Sequence, residues 1–147
     1  MKGVRWLSVA WVLALLAAAC GGGNGTDQGT TAGSGATTVN VELKDFAITP
    51  EVSSATPGEV TFSATNAGPS EHELVVIKTD IAPDQLPVES GAAEETGTDL
   101  EAIGEIKEFA SGGTESATFD LEAGNYVLIC NIPAHYESGM AVGFEVT

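Results

Sequence analysis

The stretch Tyr126-Val127-Leu128-Ile129-Cys130-Asn131-Ile132-Pro133-Ala134-His135-Tyr136-Glu137-Ser138-Gly139-Met140 decides how this chain is read. It begins as a short aromatic and aliphatic run, the pattern of a strand, and that run ends on a cysteine. Four residues then separate Cys130 from His135, and four more separate His135 from Met140. A second histidine, His72, stands far upstream at the entrance to another apolar run, Leu74-Val75-Val76-Ile77. The chain has 2 Cys, 2 His and 2 Met in all. Once Met1 and Cys20 are set aside, every soft or imidazole donor belongs to this one set.

Taken singly, each member has a plainer reading. His72 reads as a hydrogen-bonded structural histidine and His135 as a loop histidine. Cys130 reads as a buried inert thiol, and Met140 as core packing. Jointly they match a specific chemistry. One thiolate and two imidazoles with a weak axial thioether form a blue-copper electron-transfer site. Thiolate and thioether favour Cu(I), whereas imidazole serves both oxidation states, so the site rearranges little when an electron moves. A loop leaving one strand end delivers Cys130, His135 and Met140 together, while His72 ties that loop to a rigid strand. One type 1 copper per chain is therefore expected, on His72, Cys130, His135 and Met140. A dinuclear copper site needs two loop cysteines and only Cys130 is present. Catalytic zinc wants an open position for water, which Met140 is placed to close. A Cys–His nucleophile pair from Cys130 with His135 or His72 is a third reading, although a strand-end cysteine is an unusual nucleophile.

Working outward, residues 38–147 carry period-two patterning at short intervals. Val39, Val41 and Leu43 alternate with polar residues, as do Val60, Phe62 and Ala64 within residues 59–65. Residues 74–77 form the continuous apolar run of a strand covered on both sides. Residues 117–121 and 126–130 flank the turn Glu122-Ala123-Gly124-Asn125, and residues 141–146 supply a closing strand. Pro57-Gly58, Asn66-Ala67-Gly68-Pro69 and Gly112-Gly113 provide turn chemistry between them. This predicts an all-β, Greek-key β-sandwich of about 110 residues, the usual size of such a domain. Residues 83–108 depart from it. They are acidic and read as an insertion leaving the sandwich. Thr98-Asp99-Leu100-Glu101 fits a capping box that predicts a helical turn, and residues 105–109 a returning strand.

On these residues the domain resembles a cupredoxin of the plastocyanin and azurin type over nearly all of residues 38–147. The family's upstream histidine follows a turn, here Asn66-Ala67-Gly68-Pro69-Ser70-Glu71-His72, and precedes an apolar strand. Its ligand loop follows a strand like Tyr126-Val127-Leu128-Ile129-Cys130 and here carries Pro133, His135, Gly139 and Met140. The four-and-four spacing is longer than plastocyanin's and similar to that of rusticyanin and sulfocyanin. The resemblance implies the same four copper ligands. Glu73 departs from the family pattern, in which several members have Asn after the first histidine. The hydrogen bond bracing the ligand loop is thus expected to be absent or supplied differently.

The N-terminus adds an address. Lys2 and Arg5 precede an apolar run over residues 6–16, then Ala17-Ala18-Ala19 and Cys20, the layout of an export signal. The run is shorter than the roughly 20 residues of a spanning helix. The Ala17-Ala18-Ala19-Cys20 sequence resembles a bacterial lipobox, with Ala17 where Leu is commonest, and implies a lipid on Cys20. The expected organisation is a signal peptide at 1–19, a lipidated Cys20 with a Gly/Ser/Thr linker at 20–37, and a cupredoxin domain at 38–147. Such a linker buries too little to offset its ordering entropy. Cys130 is then the one cysteine of the exported domain, as a metal ligand rather than half of a disulfide.

The whole chain carries 5 basic and 21 acidic residues, a net charge of −16. Losing Lys2 and Arg5 with the signal leaves three lysines against those 21 acids, or −18. Nucleic acid is excluded as a partner on this charge. No carboxylate pair suggests acid–base catalysis, so the chain is expected not to be an enzyme. The expected function is a membrane-tethered electron carrier, a monomer, periplasmic or on the outer face of the cell membrane. It would exchange electrons with redox proteins such as a basic cytochrome or oxidase domain, through a His135 edge ringed by Ile132, Pro133, Ala134 and Met140. A copper-binding or copper-delivery lipoprotein is the alternative, and a metal-free β-sandwich binding module a third reading.

Overall fold

The computed structural model describes residues 36–147. The expected export signal, the expected lipidation site Cys20 and nearly all of the expected linker lie outside the described residues.

Alternation builds the first sheet. In β1 (Thr37–Lys44) Val39, Val41 and Leu43 are buried while their neighbours face water. β2 (Ala47–Pro50) folds back antiparallel on β1, and β4 (Gly58–Asn66) runs parallel to β1 with Val39 opposite Phe62. β9 (Thr114–Leu121) pairs antiparallel with β4, giving the order β2-β1-β4-β9.

The second sheet runs β3 (Ser54–Ala55), β11 (Ala141–Val146), β10 (Gly124–Ile129), β5 (His72–Lys78), β8 (Glu101–Phe109) in spatial order. β9 and β10 sit in different sheets, so the turn at Glu122-Ala123 carries the chain across the sandwich. The inner faces meet in one core. Phe62 from the first sheet packs edge-on against Phe144 of the second, their ring centroids 5.3 Å apart. On β10, Tyr126 and Leu128 point into this core, and Cys130 continues the same alternation one residue past the strand.

Residues 83–108 correct the sequence reading. They do not leave the sandwich. Leu86, Ala93 and Leu100 pack with Tyr136 on the outer face of β5 and β10, over Val75, Ile77, Val127 and Ile129. That cover explains why residues 74–77 are apolar without interruption: both faces of the strand are buried. A small hairpin of β6 (Val88–Glu89) and β7 (Ala92–Ala93) forms part of it. The helical turn expected at Thr98 is absent; Gly97 and Leu100 bridge across a tight turn instead. The returning strand starts four residues earlier than expected, at Glu101, because β8 pairs along β5 as far as Lys78. The pairing slips twice, each time with the extra residue on β8.

Candidate metal centre

Three ligand atoms converge at one end of the sandwich. Those of His72, Cys130 and His135 all lie within 4.8 Å of one another. Cys130 Sγ is 3.3 Å from His135 Nδ1 and 3.8 Å from His72 Nδ1. The two imidazoles stand at 63° with centroids 5.2 Å apart. Met140 and Cys130 belong to the same buried cluster, and Met140 is fully enclosed. All four residues nominated from the sequence are thus at this end of the fold, three in direct mutual reach.

Local backbone geometry explains the convergence. Cys130 N–H donates to Met140 C=O at 3.1 Å, and Met140 N–H donates to His135 C=O at 3.1 Å. These bonds close the ligand loop into a compact unit whose two ends are Cys130 and Met140. Ala134 at φ 73° and Gly139 at φ 104° make the reversals. Gly139 has no Cβ to strain at that angle. On the other side, buried Asn66 pins the turn that leads into β5. Its Nδ2 donates to Ser70 C=O at 2.7 Å and Phe109 C=O at 3.1 Å, and its Oδ1 accepts from Gly68 N–H at 3.0 Å. His72 therefore enters the core from a fixed backbone.

The loop-bracing bond is supplied by the residue that departed from the family pattern. Glu73 Oε1 accepts from Asn131 N–H at 3.0 Å, joining β5 to the ligand loop. Burial pushes the Glu73 carboxyl up, with the Asn131 hydrogen bond working against it. Burial likewise pushes the Cys130 thiol up and the His135 imidazole down. A metal that binds thiolate and neutral imidazole must displace the thiol proton here.

The covering segment also grips the loop, which the sequence did not reveal. Asn131 Oδ1 accepts from Ala93 N–H at 2.7 Å, while its Nδ2 donates to Ala93 C=O and to Glu95 Oε1. Ala134 N–H donates to Gly91 C=O at 2.9 Å. Tyr136 Oη donates to Pro83 C=O at 2.9 Å and accepts from Leu86 N–H at 2.8 Å. An Asn and a Tyr inside a ligand loop are the only hints the sequence offered.

The rim differs from expectation in one respect. Pro133 and Ala134 are exposed and His135 and Ile132 partly so, but Met140 is buried and contributes nothing to the surface. Its place is taken by Phe46, 44% exposed, whose ring meets the His135 ring edge-on at 5.2 Å.

The donor set fits copper. A thiolate, two imidazoles and a buried thioether, gathered where water is largely excluded, meet the requirements of a blue-copper centre. Fold and site together define a type 1 copper electron carrier of the cupredoxin class. The sequence of residues 54–147 matches the sulfocyanin (SoxE) domain, and the chain belongs to that family.

Solved structures agree. The dithionite-reduced auracyanin of the photosynthetic bacterium Roseiflexus castenholzii is 25% identical, covers 77% of this chain and 99% of its own, and superposes with a TM-score of 0.55. Auracyanin A, a "blue" copper protein of Chloroflexus aurantiacus, is 21% identical over 77% of this chain and all of its own, with the same TM-score of 0.55. The McoA multicopper oxidase of Aquifex aeolicus shares the fold at 19% identity and TM-score 0.51, but this chain spans only 30% of it. No curated protein matches the chain.

Proposed function

We propose that this chain is a lipid-anchored, non-enzymatic electron carrier working outside the cytoplasm, with its copper held by His72, Cys130, His135 and Met140. The observation carrying the assignment is the convergence of the three ligand atoms within 4.8 Å, beside fully buried Met140. When bound, copper supplies a one-electron couple between Cu(I) and Cu(II). The chain's own residues do the rest. Cys130 gives up its proton to become the thiolate donor. Glu73, Asn131 and Tyr136 hold the loop so that the donor positions change little between oxidation states. His135, partly exposed beside Phe46 and Pro133, offers the shortest route from the buried centre to a partner.

The surface supports a basic redox partner. Three lysines stand against 21 acidic residues in residues 20–147. Attraction of that kind steers encounter, while a small apolar rim keeps the contact brief. Cys20 is the proposed acylation site; labelled fatty acid incorporated into the wild-type chain and lost in Cys20→Ala tests it. Copper delivery is the weaker reading, because residues 20–147 hold one methionine and two histidines, where handover of Cu(I) calls for several such donors. Voltammetry of the copper-loaded domain separates the two. A reversible one-electron wave with rapid self-exchange supports the carrier. Ready loss of copper to a metal-free acceptor, without a reversible wave, supports delivery.

A further inference from the structure

The two imidazoles of the site are not equivalent. His72 is fully buried, and its far nitrogen, Nε2, lies 2.8 Å from Asp45 Oδ1. The Asp45 side chain is 23% exposed, so the carboxylate sits at the boundary between solvent and the histidine. Its other oxygen, Oδ2, accepts from Ser70 Oγ–H at 2.6 Å. Ser70 belongs to the turn that Asn66 fixes, so the carboxylate is oriented from the same rigid segment that delivers His72. Room for the contact is made by Gly68. A Cβ there would lie 2.7 Å from Asp45 Oδ1 and 2.8 Å from His72 Nε2. Among the described residues no carboxylate pairs with His135.

The geometry points to Asp45 as a positioning residue that fixes His72 as its Nε2–H tautomer and sets the reduction potential of the site, an inference that rests on the copper reading above. A carboxylate facing one imidazole nitrogen requires the proton to sit there. The Nδ1 lone pair is thereby directed toward Cys130, where the structure places that atom. Metal-binding histidines are commonly oriented in this way through their second nitrogen. The negative charge also makes the imidazole a stronger donor. It stabilises the extra positive charge of Cu(II) over Cu(I), which lowers the potential. Asp45 stands at the solvent boundary with its second oxygen held by Ser70, so the contact presents a carboxylate to His72.

The test uses the exported chain, residues 20–147, with two substitutions that alter the contact differently. Asp45→Asn keeps an acceptor for Nε2–H but removes the charge. Gly68→Ala keeps every polar group but forces the carboxylate and imidazole apart. Both are expected to retain the blue absorption band and to raise the potential, each lowering the preference for Cu(II) over Cu(I) more than twofold, which is about 18 mV at about 59 mV per tenfold for one electron. In the metal-free protein, ¹⁵N chemical shifts should show His72 protonated at Nε2 in the wild type and in Asp45→Asn. Asp45→Ala should mix the tautomers.

A normal band with a potential unmoved or lowered in Asp45→Asn overturns the inference. So does a wild-type His72 protonated at Nδ1 in the metal-free chain. Should Asp45→Asn fail to fold, Gly68→Ala decides on the same threshold. Absence of a copper band in the wild type would instead remove the copper reading itself.

Discussion

Met140 is fully enclosed and shares its cluster with Cys130. Replacing its thioether with the harder amide oxygen of Met140→Gln favours Cu(II), so the potential should fall, by about 59 mV for each tenfold gain in Cu(II) preference. Voltammetry measures this directly, and an unchanged value would mean Met140 is packing alone. Tyr136 is the second test at this scale. Its hydroxyl serves Leu86 N–H and Pro83 C=O at once. Tyr136→Phe leaves both without a partner and should cost about 1–3 kcal/mol in urea unfolding while the copper band persists. The four ligands were legible in the sequence because soft donors are few and their spacing is unusual. Asp45, Phe46 and Glu73 were not legible in these roles. An acidic residue on a chain with 21 of them carries no signal until the fold brings it to a particular nitrogen.

At the scale of elements, alternation made β1 and β4 readable, and the closing strand was placed over residues 141–146 from the same pattern. The misreading of residues 83–108 has a physical origin. Ahead of β8, most side chains of residues 83–100 face water and the buried ones are Leu86, Ala93 and Leu100, too few and too irregular to give a period. The uninterrupted apolarity of residues 74–77 was the missed clue, since a strand buried on both faces needs a second cover. β8 offers a test of how the sandwich closes. Gly104 faces the Phe119 ring of β9, and a Cβ there would lie 2.6 Å from Phe119 Cε1. Gly104→Ala should therefore destabilise the domain by about 1 kcal/mol, the low end of overpacking costs, because partly exposed Phe119 has room to shift. An unchanged or raised urea midpoint would show that the ring gives way freely.

Over the whole molecule, charge and site have separate tasks. The sandwich and its cover hold the donors rigid. On the proposed reading, the charge of residues 20–147, three lysines against 21 acids, steers a basic partner toward the site. Reduction by a basic cytochrome should therefore slow steeply between low and physiological ionic strength, as the Debye length shrinks from about 30 Å at 0.01 M to about 8 Å. Rates independent of salt in stopped-flow mixing would remove the steering argument without touching the metal centre. The centre itself is tested by visible absorption of residues 20–147 titrated with Cu(II), beside Cys130→Ala. An intense thiolate-to-copper band that saturates at one copper per chain, and is missing from Cys130→Ala, is the predicted result. A colourless wild type, or a band that survives without Cys130, would contradict the assignment.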